Sequence, residues 1–298
     1  MIRKTKLFMD TAIEVKVVPG PNAVNIERKI ERAFDAFRKV EEACSRFHPN
    51  SELMLACAQI NQSISVSPFL FEPLRFAWEL ASLTNGVFDP TVGGLMEKYG
   101  FNMHYLTRNR IERPYDLDVT YRDVTLNDAD RTLCLNKPMI IDLGAVAKGF
   151  AIDIAVNELK EMEGFIINAG GDLYAGGKDE QGAPWKIGIQ HPVEKDQMIA
   201  VLSVTDEAVC TSGSYERPSE TSADVHHLIH PITRQSPNEW FSCTVIAPYA
   251  MMADAFSTAS FFLSTESAKD FISQEDLKAI FISSNLELVT VGECNFRE

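Results

Sequence analysis

The chain has 298 residues, 45% of them hydrophobic, enough to bury one large core or two smaller lobes. Its formal net charge of −14 repels phosphate backbones and anionic membrane surfaces over most of the molecule, so no nucleic-acid partner is expected. The six cysteines, Cys44, Cys57, Cys134, Cys210, Cys243 and Cys294, lie far apart with no C-x-x-C pair or metal-ligand cluster, which points to scattered reduced thiols.

Met1 to Lys6 leads into alternating residues without an apolar segment, a cleavage site or a lipid-acceptor cysteine. As written the chain reads as cytoplasmic; a protein exported or lipid-anchored through a removed leader would look the same. Residues 5 to 18 alternate as one strand, and Pro19-Gly20-Pro21 turns the chain. Ile26, Ile30, Ala33, Phe34, Phe37, Val40 and Cys44 recur at helical spacing and predict a long amphipathic helix. After a loop at Arg46-Phe47-His48-Pro49, Ser51 is positioned to cap a further helix. Phe71 to Leu83 reads as an amphipathic helix ended by Asn85-Gly86 in the left-handed conformation.

The following segment, Val87-Phe88-Asp89-Pro90-Thr91-Val92-Gly93-Gly94, is either a loop whose backbone can come close to a ligand or an Asx-Pro turn. Residues 101 to 121 are polar and weakly periodic, as in a surface excursion. Short strands are expected at 121 to 126, 131 to 135 and 138 to 142, with a helix running on to about Met162. Gly164 to Ala169 reads as a buried strand breaking into a Gly170-Gly171 turn, which is a hairpin or a close approach to a ligand. Strands are expected at Trp185 to His191, Ala200 to Thr205, Ala208 to Thr211, Val225 to Ile229 and Ser242 to Ala247. Helices at Ala250 to Leu263 and 266 to 273 follow, then strands at 279 to 283 and 288 to 291. From Trp240 to Thr265 only Asp254 is charged, but that acid and Pro248 interrupt the run, so no membrane span is expected. The fold class is α+β, with mixed, mainly antiparallel sheets and packed helices.

Four groups of residues bear on chemistry. Asp142-Leu-Gly144-Ala145-Val-Ala147-Lys148-Gly149 brings an acid, a small-residue turn, a helix start and a lysine into one span, an order that suits an anion. The phosphate-loop order is absent, because Lys148 follows alanine and not glycine. Asp254 sits in an apolar helix where an uncompensated carboxylate would cost several kcal/mol. Thr258, one turn on, can present its hydroxyl to the same point, so a hard cation such as Mg²⁺, a buried salt bridge or a cap could compensate it. His226, His227 and His230 lack H-E-x-x-H, and on a strand neighbouring imidazoles would face apart, which argues against zinc. Thr211-Ser212-Gly213-Ser214 lacks the G-x-S-x-G order and reads as a turn lined with hydroxyls.

Together these pieces resemble the ApbE family of FAD:protein FMN transferases, almost end to end. The resemblance rests on Met9-Asp10-Thr11, Ser51-Glu52-Leu53, Phe88-Asp89-Pro90-Thr91-Val92-Gly93, Asp142 to Gly149, Asn168-Ala-Gly170-Gly171-Asp172, Thr211-Ser212-Gly213, His227-Leu-Ile-His230-Pro231-Ile-Thr233 and Ala253-Asp254-Ala-Phe-Ser257-Thr258-Ala259. It implies an ApbE-like architecture related to the T-fold, in one catalytic domain over 1–298, or in two lobes with the FAD site between them. The implied activity is Mg²⁺-dependent transfer of FMN from FAD to a threonine hydroxyl of an acceptor flavoprotein, with release of AMP. An FAD pyrophosphatase and a non-enzymatic FAD-binding module are the alternatives.

Carried over by position, the metal would be held by Asp254, Thr258 and the Ala145 backbone oxygen, helped by Ser257. FAD would be contacted by Met9, Phe47, Val87, Phe88, Asp89, Asp142, Lys148 and the His227-Leu228 segment, with Asp254, Lys148 and His227 as catalytic groups. The chain departs from the family's usual pattern at Asp10 and Arg234, where glycine is usual, at His230, where an acid is usual, and at Phe47, often tyrosine. Ring stacking on a flavin survives the last change, whereas a phenolic hydrogen bond does not.

Overall fold

The computed structural model describes residues 1–21, 23–103, 113–215, 219, 225–294 and 296–297. In chain order its first elements are β1 (Ile2–Phe8), β2 (Thr11–Val18), α1 (Ile26–Cys44), α2 (Glu52–Cys57), β3 (Ile64–Ser65), α3 (Pro68–Leu83) and α4 (Gly93–Lys98). Next come β4 (Val124–Asn127), β5 (Thr132–Leu135), α5 (Ala147–Leu159), β6 (Gly164–Ala169), β7 (Asp172–Gly177), β8 (Trp185–Gln190), β9 (Met198–Val204) and β10 (Glu207–Gly213). The chain closes with β11 (Trp240–Ala247), α6 (Ala250–Phe261), α7 (Thr265–Gln274), β12 (Lys278–Ser283), β13 (Leu288–Val291) and β14 (Phe296–Arg297). Every pairing between these strands is antiparallel. Among the described residues no helix is long and apolar enough to cross a membrane.

The chain forms two compact units, each assembled from separate segments. The first comprises Met1–Phe37, Lys148–Tyr215 and Asn238–Glu298. Its frame is an eight-stranded sheet in the order β1-β2-β6-β7-β10-β11-β12-β13, accompanied by a three-stranded sheet β14-β9-β8. Alternation along β10 sorts the two faces. Val209 joins a core cluster with Trp185, Ile187 and Leu202 of the smaller sheet, whereas Cys210 turns the other way and its thiol meets the Ala250 carbonyl at the start of α6. Covered on both faces, β11 is buried at seven of its eight positions, which explains its unbroken apolar reading. The second unit comprises Arg38–Ala147 and Glu216–Pro237 and contains α2, α3, α4 and the sheet β3-β5-β4.

Most expected elements form, with instructive exceptions. The single strand expected over 5 to 18 is a hairpin: Phe8 pairs with Thr11, and Met9 and Asp10 adopt φ 51° and 60°. Two successive positive φ values make the two-residue turn that matches strand twist, and aspartate tolerates that region where most side chains do not. Met139 to Ile141 are buried, but the 138 to 142 segment is no strand. Pro138 has no N–H to give, its carbonyl accepts from Asp116, and Asp142 N–H is spent on the Pro90 carbonyl, 2.8 Å away. Val225 to Ile229 is irregular too, because the His226 N–H goes to the Ser236 hydroxyl. Part of the expected 101 to 121 excursion, residues 104–112, lies outside the described residues. The helix expected from Phe71 starts at Pro68, since proline suits a first turn that has no intrahelical acceptor for its N–H.

Candidate active site

Within the first unit the site begins where α5 starts. Lys148 lies in the first turn of α5, and its Nζ is 2.6 Å from Asp172 Oδ2 on β7 and 3.4 Å from Asp254 Oδ2 on α6. The Gly149 N–H donates to the same Asp254 oxygen at 3.2 Å. Glycine is required there for space. A Cβ on Gly149 would sit 2.3 Å from the Ala250 carbonyl oxygen, so any other residue would push α5 off α6. A second clamp lies one turn further along α5, where the Asp153 carboxylate accepts from the N–H groups of Ala250 (2.7 Å) and Met251 (2.9 Å), capping α6 from outside it. Burial pushes Asp153 up to about 6, against those two hydrogen bonds.

Asp172 emerges directly from the Gly170-Gly171 hairpin turn and accepts from Thr211 N–H through Oδ1 at 3.2 Å. The Gly-Gly pair is thus a hairpin, and it delivers the carboxylate that neutralises Lys148. Burial pulls Lys148 down, but the charges of Asp172 and Asp254 outweigh it and hold the ammonium protonated. Asp254 is pushed up by its own burial and by the like charge of Asp172, with Lys148 pulling the other way. Three hydroxyls complete this part of the site: Ser212 Oγ lies 2.8 Å from Ser257 Oγ and 2.9 Å from Thr258 Oγ1.

These residues fit a hard cation. Among the described residues no three of His, Cys, Asp and Glu gather as a metal cluster. The donors on offer are carboxylate and hydroxyl oxygens, the set Mg²⁺ takes. Both hydrogen bonds to the Asp254 carboxylate fall on Oδ2, so Oδ1 is the oxygen left for a cation. Met9 belongs to this unit as well, at the tip of the β1–β2 hairpin.

In the second unit a buried arginine outside the motifs above joins two of the expected flavin residues. Arg46 pairs through Nε with Asp142, donates through Nη2 to the Phe101 carbonyl at 2.7 Å, and lays its guanidinium 4.1 Å from the centroid of the Phe47 ring. Asp142 also accepts from Gly144 N–H at 2.8 Å and so shapes the turn carrying Ala145 into α5. Phe47, Asp142 and Pro90 are therefore tied together. At Asp89 the Asx-Pro turn forms: Oδ1 accepts from the Thr91 amide and hydroxyl, Oδ2 from Tyr121 N–H, and burial pushes its pKa up. Gly93 and Gly94 serve close packing, against the Ile140 carbonyl and the Tyr115 ring. Val87 is half-buried and Phe88 buried beside them.

His227 is half-buried with its ring 6.4 Å from that of His226, and Leu228 is buried. The expectation that a strand separates these imidazoles fails, since no strand forms there. A cavity of about 380 Å³ in this unit is lined by Asn85, Asp118, Arg122, Ile232 and Arg234; of the expected flavin residues it reaches only Asp89. Sequence reasoning missed Arg46 and Asp153 because a lone arginine or aspartate on an otherwise regular stretch carries no spacing signal of its own.

The architecture is that of solved flavin transferase structures. The ApbE protein from Thermotoga maritima superposes with a TM-score of 0.85 at 24% identity, covering 97% of this chain and 96% of that one. The flavin transferase ApbE from Vibrio cholerae gives 0.83 at 22% identity, covering 99% and 96%. In sequence, the chain is 28% identical over 290 residues to the FAD:protein FMN transferase of Escherichia coli K12, covering 89% of this chain and 80% of that protein. It is 27% identical over 307 residues to that of Haemophilus influenzae, covering 97% and 89%. The ApbE family model matches residues 9–281, and the chain belongs to the ApbE family.

Proposed function

We propose that the protein is a Mg²⁺-dependent FAD:protein FMN transferase. The observation that carries this reading is the buried Lys148–Asp254–Asp172 cluster, lying beside the Ser257 and Thr258 hydroxyls in a chain of this family. Asp254 and Thr258 would hold the cation, with Ser257 and, by family likeness, the Ala145 carbonyl as further oxygens. When bound there, Mg²⁺ supplies charge that neutralises pyrophosphate oxygens.

The bond broken is the one between the FMN phosphorus and the bridging oxygen that leaves with AMP; the bond formed joins that phosphorus to a threonine oxygen of the acceptor protein. Such a transfer depends on positioning and charge. Lys148, kept protonated by two carboxylates, meets the negative charge that builds on the phosphate oxygens. The threonine hydroxyl must give up its proton, and the half-buried His227 imidazole is our assignment for the base. Phe47, held by Arg46, stacks on the flavin, and Asp142, Met9, Val87, Phe88, Asp89 and Leu228 line its binding surface.

The test is incubation of FAD with a threonine-bearing acceptor domain, in Mg²⁺ and in EDTA, following AMP by chromatography and covalent flavin by in-gel fluorescence. A fluorescent acceptor band that needs Mg²⁺ is expected. AMP and free FMN without a band would replace the transferase reading with pyrophosphatase, and intact FAD in both tubes would leave a binding module. Asp254→Ala is expected to lower turnover at least about 100-fold, the loss typical of one main electrostatic group. Unchanged turnover with a normal Mg²⁺ requirement would remove Asp254 from the metal site.

A further inference from the structure

The three hydroxyls of the first unit form a chain whose direction can be worked out from proton accounting. Each hydroxyl has one proton to donate. Ser257 Oγ lies 2.8 Å from the Asp254 backbone carbonyl, which can only accept, so the Ser257 proton is spent there. The Ser212–Ser257 contact at 2.8 Å must then be donated by Ser212. With the Ser212 proton used, the Ser212–Thr258 contact at 2.9 Å must be donated by Thr258. The order is fixed: Thr258 to Ser212 to Ser257 to the Asp254 carbonyl.

This order decides what Thr258 offers to a ligand. Its proton is committed to β10, on the far side of the chain of bonds, and the lone pairs of its oxygen are left unused. A hydroxyl that coordinates a cation needs this state, with a lone pair free and its hydrogen pointing away. Without Ser212, the nearest acceptors one helical turn back are on Asp254 itself. Its carbonyl already serves Ser257, so the Thr258 hydrogen would turn to the Asp254 carboxylate and use up an oxygen the cation needs.

We propose that Ser212 is a positioning residue of the metal site: through this one-way chain it sets Thr258 as a lone-pair donor toward a hard divalent cation. The proposal rests on the assignment of Asp254 and Thr258 as metal ligands made above. Ser212 is buried, and among the described residues its hydroxyl hydrogen-bonds with the other two hydroxyls and so acts on the cation through Thr258. Groups that orient a ligand in this way typically account for about 10- to 100-fold in metal affinity.

The experiment measures Mn²⁺ binding directly, by the loss of the free-ion signal in electron paramagnetic resonance, for the full-length chain and its variants. Ser212→Ala is expected to weaken Mn²⁺ binding about 10-fold or more, whereas Ser212→Thr, which keeps the hydroxyl, restores most of the affinity. In turnover assays the metal concentration for half activity should rise more than kcat falls. Wild-type affinity in Ser212→Ala would overturn the proposal, as would an equal loss in Ser212→Thr, since bulk and not the hydroxyl would then matter. If Ser212→Ala does not fold, Ser212→Cys carries the same comparison with a side chain of similar volume and poor hydrogen-bonding power. Wild-type Mn²⁺ binding in Asp254→Ala would instead overturn the ligand assignment on which the proposal stands.

Discussion

Lys148 balances one positive charge against two buried carboxylates, Asp172 and Asp254, whose side chains are 7% and 5% exposed. Breaking a buried ion pair from one side costs more than the pair contributes, because the charge left behind keeps its desolvation penalty. Lys148→Met should therefore destabilise the protein by about 3 kcal/mol or more, read as a lower urea midpoint at unchanged slope. Asp254→Asn removes one of the two acids and leaves Lys148 paired with Asp172, so it should cost clearly less. Equal losses in the two variants would mean that the acids find other partners. Either way the site trades stability for charge. A cluster that carries an excess buried carboxylate has room for a cation, and packing alone would not have favoured it.

At the scale of elements, two of the departures from the family's usual residues, His230 and Arg234, fall in one turn. His230 Nδ1 accepts from the N–H groups of Ile232 (3.1 Å) and Thr233 (3.4 Å), the role a short acid plays in an Asx turn, and Arg234 takes φ 59° where glycine is usual. Accepting at Nδ1 requires that nitrogen to be unprotonated, and burial lowers His230 below its ordinary value. The folded state thus binds this proton less well than the unfolded chain. The stability His230 lends is whole above about pH 6.5 and is lost as pH falls through the lower folded value. His230→Asp keeps the acceptor and removes that titration, so wild-type Tm should fall relative to the variant between pH 7.5 and pH 5; parallel curves would disprove it. The amphipathic α1 was legible to its ends, and so was the Ser51 cap, whose hydroxyl accepts from Met54 N–H at 3.1 Å. Both are decided by local spacing. The 138 to 142 and 225 to 229 segments were misread because their apolar residues are buried by the rest of the unit while their backbone groups pair with loops and side chains, which no alternation can reveal.

Over the whole molecule, the residues gathered around Lys148 and Asp254 in the first unit come from four places in the chain: Lys148 on α5, Asp172 on β7, Ser212 on β10, and Asp254 to Thr258 on α6. The sequence marked each of these stretches, through small residues and isolated acids. It could not pair Lys148 with Asp172 or aim Ser212 at Thr258, because both contacts depend on β7 lying next to β10 in the sheet with α6 packed on β10. Charge, by contrast, is legible in full and supports a last expectation. With 28 basic and 42 acidic residues, surface pairs such as Arg38–Glu42 and Arg75–Glu79 use acids and bases in equal number, which leaves an excess of 14 negative charges repelling one another. Salt weakens both effects. Each exposed pair is worth only about 0 to 1 kcal/mol, however, whereas the repulsion acts among all the excess charges at once while the screening length is long, about 30 Å at 0.01 M and about 8 Å at 0.15 M. Screening should favour the compact state. Raising NaCl from 0.01 to 0.15 M at pH 7.5 is expected to lift Tm by roughly 2 to 4 °C, the shift that about 1 kcal/mol gives a chain of this size. A fall in Tm over that range would mean that the ion pairs, and not the excess of acids, dominate the electrostatics of the fold.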